Sequence, residues 1–154
     1  MHLTTLLLAL SLAWPVGPPP PEILRRWDPP AGPYAPGHRG LDLAAAPGTT
    51  VHATAPGVVT FAGPVGGRGV LTITLPATGT PPLRTTYEPV TPLVPVGTPV
   101  TPGRPVATLS APATRAHCPR SCLHWGLLRG DTYLDPLRLL RPGPSRLLPV
   151  TGVP

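Results

Sequence analysis

The chain contains no lysine, asparagine or glutamine, and among its 154 residues it has two cysteines, one phenylalanine and six acidic side chains. Each scarcity removes a class of reading. Without lysine there is no amine on which biotin or lipoate can be carried, so a carrier domain is excluded. Aromatic residues make up 5% of the chain, which leaves few platforms for stacked bases, and the twelve basic residues, all arginine, are scattered. The net charge of +6 therefore reads as a solvated basic surface, and no nucleic-acid partner is expected. The apolar run Leu3 to Ala13 falls short of the roughly 20 residues that span a bilayer, so no stable transmembrane helix is expected. An all-arginine basic set beside abundant Ala, Pro, Val and Gly matches the coding bias of a GC-rich genome.

What is present is punctuation. Proline (28) and glycine (17) are far above ordinary usage, yet 41% of the chain is apolar, so the prolines interrupt something that folds, and the length allows one domain with a modest core. Residues 1–13 read as a secretory signal peptide, with Ser11-Leu12-Ala13 offering small residues for cleavage; an uncleaved membrane tether is the alternative. A secreted or cell-envelope location follows. Residues 14–36 read as a Pro-rich linker or arm, because each proline fixes φ and removes a donor, and Ile23 to Asp28 reads as a solvated leader. Residues 37–141 form the domain, and residues 142–154 a loose tail.

Within the domain, Thr49 to Val51, Val58 to Phe61, Val70 to Leu75, Leu83 to Tyr87 and Val106 to Leu109 are short β-branched runs between Pro-Gly and Gly-rich turns. That spacing predicts an all-β fold, a compact antiparallel sheet and hairpin sandwich. Val96 to Gly103 reads as a tight double turn. Asp135-Pro136 opens the one short helical turn, with Asp135 as its cap.

The chemistry sits in two distant stretches. His38-Arg39-Gly40-Leu41-Asp42 and Cys122-Leu123-His124-Trp125 together supply two imidazoles and a carboxylate, the ligand set of an open zinc site, so Zn2+ is the expected cofactor and His38, Asp42 and His124 its ligands. Gly40 would let the backbone bend so that both side chains of the first stretch reach one ion. A strand through the second would aim Cys122 and His124 to one face and Leu123 and Trp125 to the other.

At these residues the chain resembles the lysostaphin/LytM-type zinc endopeptidases, which cut peptide cross-links in bacterial peptidoglycan. The resemblance runs from about His38 to Leu140. It is carried by His38-x-Gly-x-Asp42, the Ala46-Pro47-Gly48-Thr49 and Ala55-Pro56-Gly57-Val58-Val59 turns, the Val96 to Gly103 double turn, Leu123-His124-Trp125 and Asp135-Pro136. It implies a LytM-type peptidase domain over residues 37–141, zinc on His38, Asp42 and His124, and peptidoglycan or its peptide stems as partner. Two departures stand out. Where the family has a catalytic histidine before the metal histidine this chain has Cys122, and where a second follows the tyrosine by two residues it has Pro89. The Tyr87-Glu88-Pro89-Val90 and Cys-Leu-His-Trp pattern is similar to that of some actinobacterial members. Glu88 and His117 are the groups left to move protons, with Glu88 directed away from Pro89. The alternative is a catalytically degenerate domain that binds peptidoglycan or regulates another cell-wall hydrolase.

The cysteines admit three readings. In an exported chain a Cys118–Cys122 disulfide is the default; otherwise Cys122 is a thiolate closing the metal site, or a nucleophile with no evident activating pair. His52 reads as a surface or lining residue that binds substrate only if it faces the site. Trp27 and Tyr34 line a groove or pack on the domain, and Arg39 meets carboxylates of a peptide stem or is simply exposed.

Overall fold

The computed structural model describes residues 13–111 and 118–141. Among the described residues there are eleven strands: β1 Ile23–Arg25, β2 Leu41–Ala44, β3 Thr50–His52, β4 Gly57–Val65, β5 Arg68–Leu75, β6 Leu83–Glu88, β7 Val90–Pro92, β8 Pro99–Val100, β9 Pro105–Leu109, β10 Cys122–Arg129 and β11 Thr132–Leu134. A 3-10 turn at Pro136–Leu140 ends the domain, opened by Asp135, whose Oδ1 accepts from the Leu137 amide at 3.0 Å. No helix here is long and apolar enough to cross a membrane. The signal-peptide reading of the first residues and the loose tail at 142–154 fall outside the described residues.

All pairings are antiparallel, as short alternating runs between tight turns require. The large sheet runs β1-β2-β10-β6-β5-β4-β8, with β11 also on β10, and the small one runs β3-β9-β7. Alternation decides which side chains go inside: Leu71, Ile73 and Leu75 of β5, Tyr87 of β6 and Leu123, Trp125 and Leu127 of β10 are all buried. One apolar cluster draws on both sheets, joining all of these but Leu127 to Val51, Val90, Val106 and Leu109. Polar tips inside it are satisfied. Trp125 Nε1 donates to Thr85 Oγ1 at 2.9 Å, and the Tyr87 hydroxyl donates to Thr54 Oγ1 at 3.2 Å.

The Gly-rich turns fall where glycine is needed: Val65 pairs with Arg68 and leaves Gly66-Gly67 as a two-residue loop, with φ of 57° and 78° that favour glycine at both places. The double turn at Val96 to Gly103 holds β8 between its two bends. One local expectation is corrected. The solvated leader at Ile23 to Asp28 is no leader: β1 hydrogen-bonds along the outer edge of β2, and Asp28 and His38 exchange main-chain bonds of 3.0 and 2.8 Å. An otherwise unpaired edge of β2 is thus covered by the proline-rich arm. Further upstream the arm lies by β3, where the His52 amide donates to the Pro15 carbonyl at 2.8 Å, and Trp14 packs against Trp125 with ring centroids 6.3 Å apart.

Candidate metal centre

Strand β10 runs between β2 and β6, so each of its residues has a neighbour on both sides. His124 pairs with Asp42 on β2 and with Glu88 on β6, and Asp42 pairs in turn with Arg25 on β1. Directly opposed residues of antiparallel strands share a face. A single row across four strands therefore presents Arg25, Asp42, His124 and Glu88 on the side opposite the Trp125 core. His38 joins from the turn before β2.

The Asp42 carboxylate, 1% exposed, lies between the two imidazoles: Oδ1 is 2.8 Å from His124 Nδ1, and Oδ2 is 3.1 Å from His38 Nε2. The His38 and His124 rings meet edge to face with centroids 5.0 Å apart. One donor atom from each of His38, Asp42 and His124 lies within 4.8 Å of the others. His38 Nδ1 is 2.8 Å from the Arg26 carbonyl oxygen, which can only accept, so the proton of a neutral ring is on Nδ1 and the lone pair of Nε2 is turned toward Asp42. Burial holds the His38 imidazole below its ordinary pKa, outweighing the Arg26 carbonyl and Asp42, which pull the other way. His38 Nε2 and the Asp42 carboxylate oxygen are both atoms able to ligate a cation. The donor set of two imidazole nitrogens and one carboxylate oxygen fits zinc with one position left open.

Gly40 is not a hinge. A Cβ there would collide with the Trp125 carbonyl and stand 2.7 Å from His124 Nε2, so what this glycine provides is room for the imidazole.

The triad opens onto a cleft of about 420 Å³ lined by His38, His124, Thr86, Glu88, Tyr133 and the arginines 25, 39 and 84. Glu88 pairs with Arg68 at 3.3 Å. Arg25 and Arg84 bond main-chain carbonyls of Gly37 and Gly130, and Arg39 bonds that of Pro33 while lying 5.9 Å over the Tyr133 ring. Among the described residues none of these three guanidinium groups meets a carboxylate, so the cleft keeps an uncompensated positive field.

The remaining sequence candidates separate. Cys118 and Cys122 form a disulfide, and Cys122 lies on the triad's face of β10 opposite Ala44. Glu88 shares the cleft. His117 lies outside the described residues. His52 lines a different, apolar hollow with Trp14, Pro18 and Gly103. Trp27 lines a hollow beyond Arg39, and Tyr34 is fully exposed. Sequence reasoning missed Arg25, Arg84, Thr86 and Tyr133. The alternation Arg84, Thr86, Glu88 was there to be read as one stripe; nothing marked Arg25.

The sequence profile of peptidase family M23 matches residues 36–136. An uncharacterized protein of Mycobacterium tuberculosis and one of Mycobacterium bovis are each 41% identical over 147 residues, covering 92% of this chain. The chain spans 56% of the length of these relatives. Among solved structures, a zinc-containing peptidase from Vibrio cholerae superposes with a TM-score of 0.66 at 21% identity, covering 86% of this chain and 40% of that one. The catalytic domain of lysostaphin from Staphylococcus simulans superposes with a TM-score of 0.63 at 20% identity, covering 78% and 92%. At such identities the likeness is one of fold.

Proposed function

This chain belongs to peptidase family M23, and on that footing we propose that it is an exported, zinc-dependent domain of the peptidoglycan endopeptidase type. The observation that carries the reading is the convergence of His38, Asp42 and His124 on the wall of a cationic cleft. His38, Asp42 and His124 would hold the metal, which when bound supplies a Lewis acid that polarises a peptide carbonyl and acidifies water. The Arg26 carbonyl fixes the tautomer of His38, and Asp42 orients both imidazoles. Glu88, on the other flank of His124, accepts a proton at its carboxylate in place of the histidines that Pro89 and Cys122 replace. Arg25, Arg39 and Arg84 bind the carboxylates of a peptide stem. The disulfide suits an oxidising compartment outside the cytoplasm.

A second reading, a domain that binds peptidoglycan or regulates another cell-wall hydrolase, is favoured by the absence of an imidazole at positions 89 and 122. General acid-base groups contribute about a hundredfold to ten-thousandfold each. The two readings part on one experiment: zinc content of the purified chain, with release of amino groups from cell-wall sacculi measured with and without chelator. Chelator-sensitive release that Asp42→Ala abolishes is expected. Metal without release hands the site to the second reading, and neither metal nor release overturns the zinc assignment.

A further inference from the structure

The disulfide lies one residue pair along the sheet from the triad. Cys122 precedes His124 by two positions on β10, so both side chains leave the strand on the same side, and Asp42 and Ala44 stand opposite them on β2. The two sulfurs and an Asp42 carboxylate oxygen lie within 4.8 Å of one another, which makes Asp42 common to two groups of metal-capable atoms. With zinc–sulfur and zinc–oxygen bonds of about 2.3 and 2.0 Å, ligand atoms around a tetrahedral ion stand about 3.5 Å apart. The Cys122 sulfur is thus within about an ångström of ligand distance from Asp42, and its bond to Cys118 is what occupies it.

Building on the metal reading above, we infer that this is one metal site with two ligand sets, selected by the thiol redox state. With the disulfide intact, His38, Asp42 and His124 form an open site. Once it is reduced, the Cys122 thiolate becomes the fourth protein ligand, and the position that water or substrate needs is filled. A three-ligand site becomes the closed kind that is structural and inert.

Access favours this order of events. Cys118 is partly exposed whereas Cys122 is 9% exposed, so an incoming dithiol attacks the Cys118 sulfur. The S–S bond breaks with its electron pair going to Cys122, and a mixed disulfide forms on Cys118. The second thiol of the reductant then displaces Cys118 and leaves as a cyclic disulfide. The dithiol gives up two electrons and two protons; Cys118 keeps one proton, and the other goes to solvent as the Cys122 sulfur binds the cation. Cys118 serves as the releasable cap, since it stands outside the strand that carries His124.

The test is spectroscopic and independent of turnover. The full chain is loaded with Co2+ and its absorption recorded before and after a trialkylphosphine, which reduces the disulfide with oxygen taken from water and adds no thiol of its own. A thiolate-to-cobalt charge-transfer band is expected only after reduction, with zinc affinity rising at least tenfold. Cys118→Ser should show the band without reductant, and Cys122→Ser should lack it in either state. Cobalt binding that persists on reduction without such a band, or a band undiminished in Cys122→Ser, overturns the second ligand set and leaves the first standing. Failure of the oxidised chain to bind cobalt at all removes the metal reading itself. Circular dichroism of the reduced chain checks that the sheet persists, and Cys118→Ser decides the question without any reductant.

Discussion

Asp42 joins everything in the site, since each of its oxygens faces a different histidine and it is almost wholly buried. Asp42→Asn preserves its size but replaces an anionic donor by an amide that presents N–H groups to lone pairs. Zinc binding is expected to weaken by about a hundredfold or more, measured by competition with a chromogenic chelator; retention of affinity would show that the ion sits elsewhere. Tyr87 gives a second prediction of a different kind. Burial raises its pKa above the ordinary value of 10, against hydrogen bonds with Thr54 that pull it down. A group whose pKa is raised by folding contributes stability that is complete below its unfolded value and is lost as pH climbs through the folded one. The loss therefore begins above pH 10. Tyr87→Phe should cost about 1 kcal/mol at pH 7 through the lost hydrogen bonds and should flatten the alkaline limb of a denaturation series; a limb as steep as the parent's would assign it to other groups.

At the scale of the strand, the site depends on β10 being flanked by β2 and β6 with one register. The grouping of His38, Asp42 and His124, the disulfide partners and the all-β class were legible because they rest on residue type and on alternation within a short run. What was not legible rests on pairing. Arg25 reaches the row only because a proline-rich arm, polar enough to read as solvated, supplies the edge strand that β2 lacks. That Glu88 shares a face with His124 is a fact of register between strands more than thirty residues apart in sequence. Gly40 carried the wrong reason, since close approach across strands leaves no local signature. The substitution Gly40→Ala tests the need for room: it should force His124 or the β2–β10 pair apart, destabilise by about 1–3 kcal/mol and weaken zinc binding. Stability and affinity equal to the parent's would show that the space is not required. Urea denaturation together with metal titration reads both effects.

Over the whole molecule, the net charge of +6 has a location as well as a size. Three guanidinium groups face the cleft, and among the described residues their hydrogen bonds go to main-chain oxygens, while Glu88 beside them is already paired with Arg68. Inside a concave wall such a field is screened less than on an open surface, where charges more than about 8 Å apart are largely decoupled at physiological salt. The cleft should therefore prefer peptides by their carboxylates rather than by apolar bulk. Binding to sacculi, followed by co-sedimentation, is expected to fall by about tenfold when the stem carboxylates are converted to amides, by about the same in Arg25→Gln/Arg84→Gln, and by little more when both changes are combined, because each removes the same interaction. Additive losses would place the arginines and the carboxylates in separate contacts. Equal binding of native and amidated sacculi would mean that the charge of the cleft is solvated surface, as the bare composition first implied.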